Sequence, residues 1–144
     1  MLAKTPEERL SQWRSLRLDL EQDPEALDAV CRFWSEVSII PFNHRIDHYN
    51  QRSWPTPWEI LVENKYDDFT LAVMMAQTVK MTTKFANTTV DVRTMVDHNR
   101  TKLYNLVYVD ESFVLNFEKN RAILAQDVPD SFLLENLVVI TGPR

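Results

Sequence analysis

The chain has 144 residues, of which 44% are hydrophobic and 26% charged, with a formal charge of −5 and a pI of about 5.2. This length suffices for one buried core and is short for two, so residues 1–144 read as a single domain, and the composition excludes a disordered polar chain. The acidic balance leaves no broad basic field to hold a phosphate backbone, and no apolar run nears the roughly 18 to 20 residues that cross a bilayer, so neither nucleic acid nor membrane is an expected partner.

Thr5-Pro6-Glu7-Glu8 places a capping side chain, a helix-initiating proline and early carboxylates in a row. A helix is predicted from there to about Leu20, with Leu10, Trp13, Leu16 and Leu20 on one face. Asp23-Pro24 repeats the signal, and Leu27, Val30, Trp34 and Val37 give a second helix its apolar stripe before Pro41 ends or interrupts it. The stretch 41–55 has weak periodicity and reads as a connector or a short helix. Thr56-Pro57-Trp58-Glu59 is a capping box that opens a short helix, and Asp67 or Asp68 caps a longer one in which Phe69, Ala72, Met75, Ala76 and Val79 share a face. The other sides of that helix are also apolar, so it is predicted to be central and buried. Residues 1–53 thus form an amino-terminal helical part, and 54–144 a core of helix plus sheet.

Beyond about Asn87 the period changes from helical to alternating. Val90–Asp97, Leu103–Val109 and Phe113–Phe117 are predicted as three strands of an antiparallel meander, with turn chemistry in "HNRT" and "DES". The tail 131–141 is apolar enough for a fourth strand, within the sheet or paired with another chain. The fold class is α+β, with helices first and then an antiparallel sheet of three to four strands.

Gly142 is the only glycine, which excludes phosphate-cradling Gly-rich loops, dinucleotide fingerprints and nucleophile elbows, and no cofactor is expected. Cys31 is the only cysteine, so there is no disulfide framework and no thiolate metal site. It lies on an amphipathic helix between Val30 and Arg32, where the preferred reading is a small buried hydrophobe over a nucleophile. His44 and His48 stand at helical spacing with Asp47 between them; without a third ligand the preferred reading is a polar turn, not a metal site. Asp67-Asp68 and Asp110-Glu111 are explained by helix capping and by a hairpin turn. Two sequons, at Asn87 and Asn99, carry little meaning without a secretory signal, and the charged start "MLAKTPEERL" has no apolar signal core. The chain is therefore expected to be cytoplasmic at synthesis. Of four tryptophans, Trp54 and Trp58 flank a Pro-Thr-Pro turn and are the candidates for interface anchors.

A helix opening "NKYDDFTLAVMMA" followed by the strand pair "KLYNLVYVDESFVLNF" resembles the transglutaminase-like cysteine protease superfamily over roughly residues 54 to 120. That family's helix motif reads Gly-x-Cys-x-Asp-Phe-Ala, and its strand motif carries a histidine and an orienting aspartate. Carried across position by position, the cysteine falls on Tyr66, the histidine on Lys102 and the aspartate on Phe117, while Asp68, Phe69, Asn105, Leu106, Val107, Val109 and Asp110 match the scaffold. The resemblance then implies the fold without its triad, because tyrosine is a poor nucleophile and lysine a poor base near neutral pH. Tyr66 is expected to fill the nucleophile pocket, with Phe117 nearby and Lys102 reaching solvent or an acidic partner.

These observations imply a chain that is not an enzyme but a structural or interaction protein, with protein partners in an oligomeric assembly such as a phage virion (tail, baseplate or neck). The alternatives are a cysteine-dependent hydrolase or acyltransferase working through Cys31, and a transient assembly chaperone or inhibitor.

Overall fold

The computed structural model describes residues 2–99 and 101–142. Four α-helices, Pro6–Leu20 (α1), Ala26–Trp34 (α2), Pro57–Glu63 (α3) and Asp68–Lys80 (α4), precede five strands: Val90–Asp97 (β1), Lys102–Val109 (β2), Phe113–Glu118 (β3), Arg121–Leu124 (β4) and Phe132–Val139 (β5). Every strand pairing is antiparallel, in the order β4-β3-β2-β1-β5, so the sequence-predicted tail strand joins the sheet beside β1. The α+β class is as expected, with five strands instead of three or four. The added strand, β4, is too short to show an alternating pattern. It is fixed by pairing with β3 and by the Ala122 amide, which donates to Asp28 Oδ1 of α2 at 2.8 Å.

Local chemistry sets the helix ends. Thr5 accepts from the Glu8 amide at 3.2 Å, and Thr56 and Glu59 form the reciprocal capping box that starts α3. Asn64 then takes a left-handed conformation (φ 56°) and stops α3, which returns the chain for α4. Asp67, not Asp68, caps α4: its Oδ1 accepts from the Thr70 amide at 2.7 Å and from the Thr70 hydroxyl at 2.6 Å. Helix α2 ends at Trp34, ahead of Pro41, because the chain leaves it to form a bridge between Ile39 and Tyr66, with the Ile40 amide donating to Tyr66 O at 2.8 Å.

Helix α4 is buried along Phe69–Val79, as its all-round apolar sequence predicts, and packs across β1, β2 and β3 while α2 and α1 cover its outer side. Because strand side chains alternate, Val90, Val92, Val107, Val109 and Leu115 face this helical layer. Met95, Leu106, Tyr108, Val114, Ile123 and Phe132 build a second apolar cluster on the opposite face, with Tyr104 and Phe117 at its margin.

Candidate functional site

The amino terminus of α4 meets the sheet at a row of polar residues. Thr94 of β1 pairs with Asn105 of β2 on one side and with Asn136 of β5 on the other. The Thr94 hydroxyl donates to Asn105 Oδ1 at 2.9 Å, and Asn105 Nδ2 donates to Asp68 Oδ2 at 2.9 Å. Asn116 joins from β3: its Nδ2 lies 3.3 Å from Asp68 Oδ1 and 2.8 Å from the Asn105 carbonyl oxygen. Asn136 Nδ2 donates to the His48 carbonyl at 3.3 Å.

Alternation alone does not turn Asn116 toward Asp68. Its backbone is left-handed (φ 68°), and the β3–β4 register breaks between Val114 and Glu118. Asparagine tolerates that conformation better than most residues, and such a bulge re-aims one side chain out of the alternation. The carboxylate of Asp68, in the first turn of α4, is thereby held by two neutral amides at the positive end of the helix.

One rung beyond the polar row, Val96 stands between Leu103 and Leu133 on the helical face of the sheet. Leu103 and Leu133 are 57% and 53% exposed. The corner therefore offers a carboxylate and amides beside an open apolar floor, a combination suited to an extended polypeptide carrying an apolar side chain.

Behind Asn116 lies the single thiol. Cys31 is 1% exposed and lines a cavity of about 340 Å³ with Trp34, Ile39, Met75, Asn116 and Glu118. Burial pushes its thiol up to about 12, against a smaller downward pull from the Asn116 backbone amide. Asn116 thus touches the thiol through its backbone and the Asp68 carboxylate through its side chain.

The three positions carried over from the family motif do not meet. Tyr66 is 1% exposed and packs edge-on against Trp34 at 5.6 Å, inside the core of the helical face. Phe117 lies on the opposite face of the sheet, against Tyr104 and Phe132. Lys102 is exposed, with its ammonium 5.0 Å from the centre of the Tyr104 ring. Position-by-position transfer missed Asn105 and Asn116 because it took the hairpin as regular, whereas β3 carries a bulge. The visible signal was asparagine in the interior of three strands, where it is disfavoured.

The Tyr66 hydroxyl is buried without a hydrogen-bond partner, and burial raises its pKa further above the ordinary tyrosine range. Tyr66→Phe removes that orphan group at constant ring packing. It is therefore expected to raise the urea midpoint, by about 1 kcal/mol in stability; a loss of stability would place a partner on the hydroxyl.

The remaining candidates fall elsewhere. The segment carrying His44 and His48 is not helical, so the two rings share no helix face: His44 packs on Phe42, and His48 stacks on Phe69 at 3.8 Å. Trp58 is 38% exposed and meets Trp13 edge-on at 5.9 Å. Trp54 is half-buried against Phe69, and its indole N–H donates to the Asp47 carbonyl.

Comparison with known proteins gives a fold-level answer. No protein-family model matches the chain, and no curated protein sequence matches it. Solved structures do. Legionella pneumophila LapG in its calcium-bound form superposes with a TM-score of 0.64 at 16% identity, covering 99% of this chain and 83% of that one. Another LapG structure gives 0.65 at 16% identity, over 95% and 81% of the two chains. The EGTA-treated form gives 0.61 at 18% identity, over 90% and 70%.

LapG is a cysteine protease of the transglutaminase-like fold, so the fold expected from "NKYDDF" and the strand pair is present. The same finding corrects the expectation that the chain is not an enzyme. The matched structures are those of an enzyme, and the positions from which a lost triad was read form no common site. The matched proteins are bacterial, and no phage component stands among them.

Proposed function

We propose that the chain acts on polypeptide as a thiol-dependent hydrolase or acyltransferase of the transglutaminase-like fold, with Cys31 as the thiol and the Asp68–Asn105–Asn116 corner as the place where substrate backbone is held. The observation that carries this reading is the position of Asn116, a strained residue that contacts both the thiol and the carboxylate in a fold shared with a cysteine protease. Chemically, the Cys31 sulfur attacks a carboxamide carbon, the amine leaves with a proton, and the resulting thioester passes its acyl group to water or to a second nucleophile. Attack requires thiolate, and the folded thiol is neutral and enclosed. Turnover through Cys31 therefore requires the Asn116–Asn120 hairpin to move when substrate engages. Leu103, Val96 and Leu133 select an apolar side chain next to the reacting carbonyl.

The test is turnover of a quenched-fluorescence peptide library by the wild-type chain and by Cys31→Ser and Asp68→Ala. Cys31→Ser is expected to abolish turnover, and Asp68→Ala to raise KM more than it lowers kcat. Turnover that survives Cys31→Ser sinks the thiol assignment.

A second role, compatible with catalysis, is docking of a protein partner. It rests on β5, an edge strand whose Leu134, Leu137 and Val139 are exposed. Light scattering on the wild type and on Leu134→Lys/Leu137→Lys would show a reduction in particle mass if β5 is the contact.

A further inference from the structure

Away from the α4 amino terminus, a second cavity of about 470 Å³ lies between α4, the segment 49–57 and the residues that follow β5. This is within the range of small-molecule sites, roughly 300–1,000 Å³. Gln77, in the last turns of α4, forms part of its lining. It is only 6% exposed, and its Oε1 is buried with no hydrogen-bond partner. A buried acceptor left unpaired is unfavourable by about 1–3 kcal/mol, so an orphan acceptor lining a cavity of ligand size marks a place where a donor belongs.

The other polar groups of the lining are unevenly committed. Gln51 Nε2 donates to the Val139 carbonyl at 2.8 Å, and the Thr56 hydroxyl accepts from the Glu59 amide at 3.2 Å. Arg52 is exposed and, among the described residues, has no ion-pair partner. No carboxylate side chain lines the cavity, and Trp54, Pro55 and Pro57 supply apolar wall. The unmet needs are therefore one hydrogen-bond donor for Gln77 and one anion for Arg52, beside a flat apolar surface.

We infer that this cavity binds an acylated amino acid or the carboxy-terminal residue of a peptide. The N–H donates to Gln77 Oε1, the carboxylate pairs with Arg52, and an apolar side chain lies against Trp54 and Pro55. Guanidinium binds carboxylate with two parallel hydrogen bonds, which gives such a site its preference for the acid over an amide. The site is separate from the Cys31 cavity and does not depend on chemistry there.

The experiment is a calorimetric titration of the full chain with N-acetyl-L-leucine, with N-acetyl-L-leucinamide, and with a pentapeptide ending in leucine carboxylate. The acid is expected to bind and the leucinamide to bind at least tenfold more weakly. A pentapeptide that binds tighter than the free acid identifies a chain terminus as the ligand; equal affinity identifies the free acylated amino acid. Gln77→Leu is expected to weaken the acid at least tenfold while raising the Tm, because it removes the orphan acceptor. Arg52→Ala, on an exposed side chain that leaves the fold intact, is expected to weaken the acid to the level of the leucinamide. The inference is overturned if neither acid binds, if acid and leucinamide bind alike, or if both variants keep wild-type affinity.

Discussion

Thr78→Val is expected to destabilise the protein by about 2 to 5 kcal/mol, although the two side chains are nearly the same size. The Thr78 hydroxyl sits in the centre of the helical layer and accepts from two indoles, Trp13 Nε1 at 2.9 Å and Trp34 Nε1 at 3.2 Å. It donates its own proton to the Met74 carbonyl one turn earlier, at 2.6 Å. Both tryptophans are fully buried, so neither can turn to water when the hydroxyl is removed. Valine would leave two buried N–H donors unpaired, each unfavourable by about 1–3 kcal/mol, while the loss of the back-bond to Met74 is nearly neutral. The measurement is urea unfolding, with a lower midpoint at unchanged slope. If the indoles carry the effect, adding Trp34→Phe to Thr78→Val should cost less than the same change in the wild type. A loss below about 1 kcal/mol would mean that the indoles find other partners.

That junction also marks how far the sequence could be read. The stripe Leu10, Trp13, Leu16, Leu20 showed which face of α1 is buried, and the apolar circumference of α4 showed that it is central, since both are properties of one segment. No pattern within a segment shows that Trp13 and Trp34 converge on one hydroxyl, because that depends on how three helices cross. The strands divide the same way. β1 and β2 alternate over their length and were legible, whereas β4 has four residues and exists through its partners.

The corner at Asp68 is assembled from one helix and three strands, with Asn136 of a fourth beside it, and only the asparagines in strand interiors hinted at it. The family motif placed the helix start and the hairpin correctly in the chain. It missed the corner's residues because the left-handed Asn116 changes which side chain faces α4. His44 and His48 are the converse case, a spacing that means proximity only on a helix the segment does not form.

Cys31 is expected to react with iodoacetamide at pH 7.5 about 10³-fold more slowly in the folded protein than in the unfolded chain, because the reactive species is thiolate. Folding pushes the thiol up to about 12, while an unfolded thiol titrates near 8.5, so the thiolate fraction at that pH falls from about one in ten to a few in 10⁵. Since folding favours the protonated form, the unfolded chain loses its proton first as pH rises. Stability should therefore be unaffected by this group below about pH 8 and decline between about pH 8.5 and 12. The protection also gives the proposed chemistry a discriminating test. If Cys31 is the nucleophile, engagement of a polypeptide at Asp68 and Leu103 must displace Asn116 and open the cavity, so a peptide that is turned over should accelerate alkylation of Cys31. Asp68→Ala, which releases one end of Asn116, should accelerate it without peptide, while the variant's unfolding midpoint stays close to wild type. A thiol whose alkylation rate is indifferent both to a productive peptide and to Asp68→Ala would be a packed core residue, and the catalytic thiol assignment would fall with it.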